Sequence, residues 1–153
     1  MRPLTVVLLT LVAAVALSAQ PAQDANLNRR YGIEVNQGAF PQGSPKETLT
    51  SVVKAMKEGK IDYLLAHLAD PTLIDDRVRD LGGQFGDLVK EVTERLTREP
   101  DIIKSLERLL REGQWEEQEK TASVKPKDGG GLHAFFTKRG QRWFIENRTE
   151  PEP

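Results

Sequence analysis

Hydrophobic residues follow three regimes along this chain: a long apolar run at the start, stripes of period near 3.6 through the middle, and alternation of period 2 towards the end. The first regime, Leu4 to Leu17, follows Arg2 and is closed by Ser18, Ala19 and Gln20. A basic residue, an apolar stretch and small residues at Ala16, Ser18 and Ala19 are the parts of a secretory signal, which predicts export and cleavage near Ala19. Gln20, Pro21, Gln23 and Asp24 end the run before the roughly 20 residues a spanning helix needs, which disfavours an anchor. Residues 20–43 are rich in Gln, Asn, Gly and Pro, with Tyr31, Ile33, Val35 and Phe40 spaced among them, and read as a polar linker or docking arm.

The second regime predicts helices. Ser44, Pro45 and Glu47 stand where an N-cap, a first helical position and a capping-box partner belong, and Leu49, Val52, Val53 and Met56 form one face up to Gly59. A second short helix, Lys60 to Leu68, carries Ile61, Leu64, Leu65 and Leu68 and is stopped by Asp70-Pro71. Thr72 to Asp76 reads as a polar turn and Val78 to Gly83 as a further short helical turn. Two amphipathic helices follow, one from about Gln84 to Glu99 (Phe85, Leu88, Val89, Val92, Leu96) and one carrying Ile102, Ile103, Leu106, Leu109 and Leu110 up to Gly113. Their stripes are taken as core-packing faces.

From Trp115 onward the period is that of strands. Glu119 to Lys125 alternates through Ala122 and Val124, Pro126 to Gly131 is a turn, and Leu132 to Thr137 is the next strand. Lys138 to Gln141 then makes a glycine-containing hairpin into Arg142 to Asn147. Trp143 and Ile145 share one face while Phe144 lies opposite. One face is expected on the helices, the other against the arm or a second copy of the chain. Residues 44–148 thus make one α+β domain, helices first and an antiparallel sheet of about three to four strands last, with 149–153 a disordered tail.

Composition narrows the chemistry. Without cysteine there is no disulfide, thiol chemistry or lipoprotein anchor, and with only His67 and His133 a structural zinc site is excluded. The 22 basic and 23 acidic side chains nearly cancel, leaving no field to concentrate nucleic acid or an anionic membrane. Signatures of the GxSxG, HExxH and GxGxxG kinds are absent, and Gly129 to Gly131 lacks the Lys and Ser or Thr of a phosphate loop. Asp70, Asp75, Asp76 and Asp80 do not have calcium-loop spacing, and helix capping accounts for them as well. The residues that could line a pocket are Asp62, Tyr63 and His67 on neighbouring helical turns, with His133, Phe136 and Trp143 from the sheet. For each histidine a structural role is the favoured reading.

The segment SPKETLTSVVKAMKEGKIDYLLAHLADP and the later RWFIENR resemble the NTF2-like or cystatin-like α+β fold, and also small exported proteins of planctomycete type. Gly59, Asp62, Leu64 and Leu65 match the opening pattern, and Gly140 with Trp143 match the GxxW of the last strands. The resemblance implies a cone whose curved sheet encloses a pocket against the helices. It also implies a strand between the early helices and the long helix, for which Thr72 to Ile74 is the available segment. The family hosts enzymes, ligand binders and dimerisation modules, and the catalytic Asp and Tyr of its ketosteroid isomerase branch have no counterpart here, so no catalytic residue carries over. The expectation is an exported, non-enzymatic binding or interaction module without cofactor or metal. Its partner would be a small molecule or protein, or a second copy through the sheet, with no nucleic acid and no membrane after cleavage. The alternatives are a small-molecule isomerase or hydrolase using a pocket in the cone, and a helical partner-binding adaptor.

Overall fold

The computed structural model describes residues 27–146 and 148; the signal segment, its cleavage site and the tail lie outside them. The chain is α+β. A short hairpin, β1 (Arg29–Arg30) and β2 (Ile33–Glu34), leads into five helices: α1 (Pro45–Lys57), α2 (Ile61–Tyr63), α3 (Pro71–Asp80), α4 (Phe85–Arg98) and α5 (Asp101–Glu112). The antiparallel sheet follows, with β3 (Gln114–Glu117), β4 (Thr121–Lys125), β5 (Ala134–Arg139) and β6 (Arg142–Glu146) in sequential order.

Local chemistry sets the helix ends. The Ser44 hydroxyl accepts from the Glu47 N–H at 3.1 Å, while the Glu47 carboxylate reaches past the cap to the Gly43 N–H at 2.8 Å. At the other end of α1, Gly59 takes φ +69° and the chain closes with bonds from Gly59 to Met56 and from Lys60 to Ala55, a Schellman stop. Gly82, at φ +82°, ends α3 with the same pair of bonds, to Arg79 and from Gly83 to Val78. The turn between β1 and β2 places both Tyr31 and Gly32 at positive φ, 51° and 81°. That conformation disfavours a side chain at Tyr31, and it is held by the ring stacking on Phe85 at 4.0 Å and by its hydroxyl on Asp75.

Two expectations are corrected. Thr72 to Asp76 is neither a turn nor a strand vestige, because α3 runs unbroken from Pro71 to Asp80: the preceding helix ends at Leu68, and Asp70 caps α3 through the Thr72 and Leu73 N–H groups, with Pro71 at the first helical position. The helix from Lys60 to Leu68 is only α-helical over Ile61–Tyr63 and then widens into a π-helical turn over Leu64–Leu68, closed by the Ala69 N–H on the Leu64 carbonyl. Gln114–Glu117, at the start of the stretch where strand periodicity begins, pairs along β4 with Trp115 opposite Val124 and makes the sheet four-stranded.

The register puts Trp115, Ala122, Val124, Ala134, Phe136, Trp143 and Ile145 on one face of the sheet. That face joins Leu49, Val52, Leu68, Leu106 and Leu109 from the helices in one core. The outer edge of β6 is closed by the Trp143 N–H on the Gln42 carbonyl and the Asp70 N–H on the Ile145 carbonyl, both 2.9 Å. Residues 27–43 therefore lie along the domain, with Phe40 buried against Tyr63 at 4.5 Å.

Candidate functional site

The six residues singled out from the sequence fall into separate places. Tyr63 and His67, one turn apart, are buried with ring centroids 5.1 Å apart. Phe136 and Trp143 are diagonal neighbours on the inner sheet face and are buried in the core. Asp62 is exposed, its carboxylate accepting only the next N–H, and His133 is half-buried on the approach to β5. No constellation of all six forms, and the concave surfaces described below lie elsewhere.

Around Tyr63 and His67 the arm instead builds a buried polar cluster. The Asn36 N–H donates to the Tyr63 hydroxyl at 2.9 Å. His67 Nε2 faces the Ile33 carbonyl at 2.8 Å, and because a carbonyl only accepts, Nε2 carries the proton and Nδ1 is the bare nitrogen. Gln42 Nε2 bridges the His67 and Trp143 carbonyls at 2.9 and 2.7 Å. Arg142 reaches back from β6 to the Leu27 carbonyl at 2.8 Å, its guanidinium 5.2 Å from the Phe144 ring. Arg30 spans from the Ala66 carbonyl to an ion pair with Asp75. Gln42 Oε1, His67 Nδ1 and Arg142 Nη1 are left buried without hydrogen-bond partners.

Electrostatics follow from that packing. Burial lowers the proton affinity of His67, opposed by the Ile33 carbonyl and reinforced by the positive charges of Arg142 and Arg30. Burial likewise lowers Arg142 and raises Tyr63. At the hairpin tip, partial burial and the bond to Asp75 push the Tyr31 phenol up to about 12. Three of the four clustered aspartates are occupied: Asp75 by Arg30 and Tyr31, Asp76 by Arg79, and Asp70 by the α3 N-terminus and Arg139 at 2.8 Å. Among the described residues no group of three or more His, Asp or Glu is placed to hold a metal ion, and no helix is long and apolar enough to cross a membrane.

A groove of about 440 Å³ runs between α1 and α5. Val53 and Leu110 give it apolar surface. Thr50, Lys54, Lys57 and Glu58 line it from α1 and the end of that helix, Glu107 and Arg111 from α5. Lys57 and Glu107 form an ion pair across it, which holds the Glu107 carboxyl below the usual range. Glu58 is held by Lys60 at 2.9 Å, whereas Arg111 forms no ion pair among the described residues. A smaller cavity of about 120 Å³ at the end of α5 is bounded by the Arg108, Glu112 and Asp128 ion pairs. Neither contains a histidine, so neither pairs a nucleophile with an imidazole base.

This groove is not visible in the sequence, because its polar residues look like the ordinary solvated faces of two amphipathic helices. Nor does the sequence single out Arg30, Gln42 and Arg142, whose partners lie 25 to 115 residues away in the chain. Compared with protein-family models, curated proteins and solved structures, the chain matches none of them.

Proposed function

We propose that this chain is an exported, non-enzymatic binding module that takes a ligand with an apolar body and an acidic group in the groove between α1 and α5. The carrying observation is the lining of that groove: Val53 and Leu110 beside three cationic side chains against two acidic ones, with Arg111 free of an ion pair among the described residues. An apolar surface beside a guanidinium favours amphipathic anions. Tyr63 and His67, the side chains best suited to acid–base work, are occupied in tying down the arm. Export rests on Arg2 and the apolar run Leu4 to Leu17, which point to a periplasmic or secreted protein. A reduced NTF2-like relation is part of the same reading, supported by the helices-first order and by Gly140 and Trp143; in that relation the inside of the sheet is filled by Phe136 and Trp143 and the binding surface has moved to the helices.

Octanoate and octylamine, added separately to isotope-labelled protein and followed by amide NMR shifts, test the reading. Saturable shifts at Val53, Lys57, Leu110 and Arg111 with octanoate alone, weakened several-fold in Arg111→Gln, are expected. Equal responses to both compounds, or shifts centred on Tyr63 and His67, would overturn it.

A further inference from the structure

The polar cluster beneath the arm is separate from the groove. His67 is fully buried, and the one hydrogen bond of its ring, Nε2 to the Ile33 carbonyl, joins the helical body to the arm. The Leu27 carbonyl, held by Arg142, is the second arm group close to the ring. The groups facing His67 are Tyr63 on its own helix, Arg30 from β1 and Arg142 from β6. Arg30 is balanced by Asp75, but Arg142 has one hydrogen-bonded carbonyl, one orphaned nitrogen and no carboxylate in contact among the described residues. A proton added to His67 would place a second poorly compensated cation in a dry site, which is costly unless the site opens to water.

We propose that His67 is an acid-operated latch: proton uptake by its ring releases residues 27–36 from the domain while the helices and the four-stranded sheet remain folded. The segment is suited to local opening. Its attachments between Leu27 and Asn36 are hydrogen bonds, the Arg30–Asp75 ion pair, the Tyr31 ring on Phe85 and a half-buried Ile33, whereas Phe40 and Gln42 behind it are buried in the body. Release would uncover Tyr63, His67 and Arg142 together, an aromatic and cationic surface that the closed arm hides.

The sign follows from linkage. The closed arm disfavours the protonated ring, so closure is fully favoured above the imidazole's ordinary value of about 6.5 and weakens as pH falls through it. Whatever factor the closed arm takes from the proton affinity of the ring is returned as the same factor in arm opening once the pH is below both values.

Amide exchange of the whole protein at pH 7.5 and pH 5.0, corrected for intrinsic exchange, reads this directly. The Asn36 amide, bonded to the Tyr63 hydroxyl of the body, should lose protection at pH 5.0, while those of α1 and β5 hold. His67→Gln, which keeps an N–H donor for Ile33 but does not titrate, should remove the difference. An NMR titration of the His67 ring in the unmodified protein gives a second measure, and its midpoint should coincide with that of arm opening. Arm amides that lose no more protection than those of α1, an equal loss in His67→Gln, or two different midpoints would overturn the latch.

Discussion

Asp70 shows how much one side chain can hold. Its carboxylate is buried, caps α3 through two backbone N–H groups and receives Arg139 on both oxygens, at 2.8 and 3.2 Å. Its own N–H meanwhile closes the edge of β6. Asp70→Ala removes the cap, worth about 1 kcal/mol, and strips Arg139 of a charged partner. Urea melts should show a loss of roughly 3 kcal/mol, the lower range for breaking a buried pair, because Arg139 is itself half-exposed. Asp70→Asn, which can still cap, should lose less. Equal losses for the two variants would mean that the charge, not the cap, carries the effect. The sequence shows Asp70-Pro71 as a helix boundary, and correctly so. What it hides is that the same residue serves the helix after the boundary and an arginine 69 positions away.

The elements legible in the sequence are those whose chemistry is local. The faces of α1, α4 and α5 repeat at helical spacing, and Gly59 and Gly140 mark turns at positive φ. Illegible elements draw their stability from distant partners. With only Ile74 and Val78 of its apolar residues buried, α3 reads as polar, β3 carries a single apolar residue, and β1 with β2 is two residues a side. The candidate site was legible only as a set of residue types, since nothing local says that Tyr63 and His67 turn under the arm while Asp62 points to solvent. Two glycines separate the local and distant kinds of constraint. At Gly140 a side chain would meet nothing, and the penalty is the φ of +59°. At Gly113 φ is an ordinary −66°, but a Cβ would stand 2.4 Å from the Leu109 carbonyl oxygen and 2.5 Å from a Val124 methyl. Gly140→Ala should therefore cost about 1–2 kcal/mol, whereas Gly113→Ala, forcing α5 away from β4, should cost 1–3 kcal/mol or more. Thermal melts in which Gly113→Ala proves the milder variant would mean that α5 and β4 have room to part.

At the scale of the molecule, arm, helices and sheet meet at one residue. Trp143 is 3% exposed; its N–H donates to the Gln42 carbonyl, and its carbonyl accepts from Gln42 Nε2 and from the Thr48 hydroxyl of α1. Its ring lies on the inner sheet face among the helix side chains, with the Lys138 ammonium 5.9 Å from the ring centroid. The backbone bonds survive truncation, so Trp143→Ala isolates the ring. Losing it from a packed core should cost roughly 3–5 kcal/mol, a large share of the about 5–15 kcal/mol that holds a domain of this size. Because the same residue ties all three layers, the loss should lower a single cooperative transition, with Trp115 fluorescence and helical circular dichroism moving together. If the two signals separate, the sheet and helices are held by independent cores. If Trp143→Ala keeps its melting temperature and loses a partner instead, the ring is a contact surface and the three layers are joined by Gln42 and Thr48 alone.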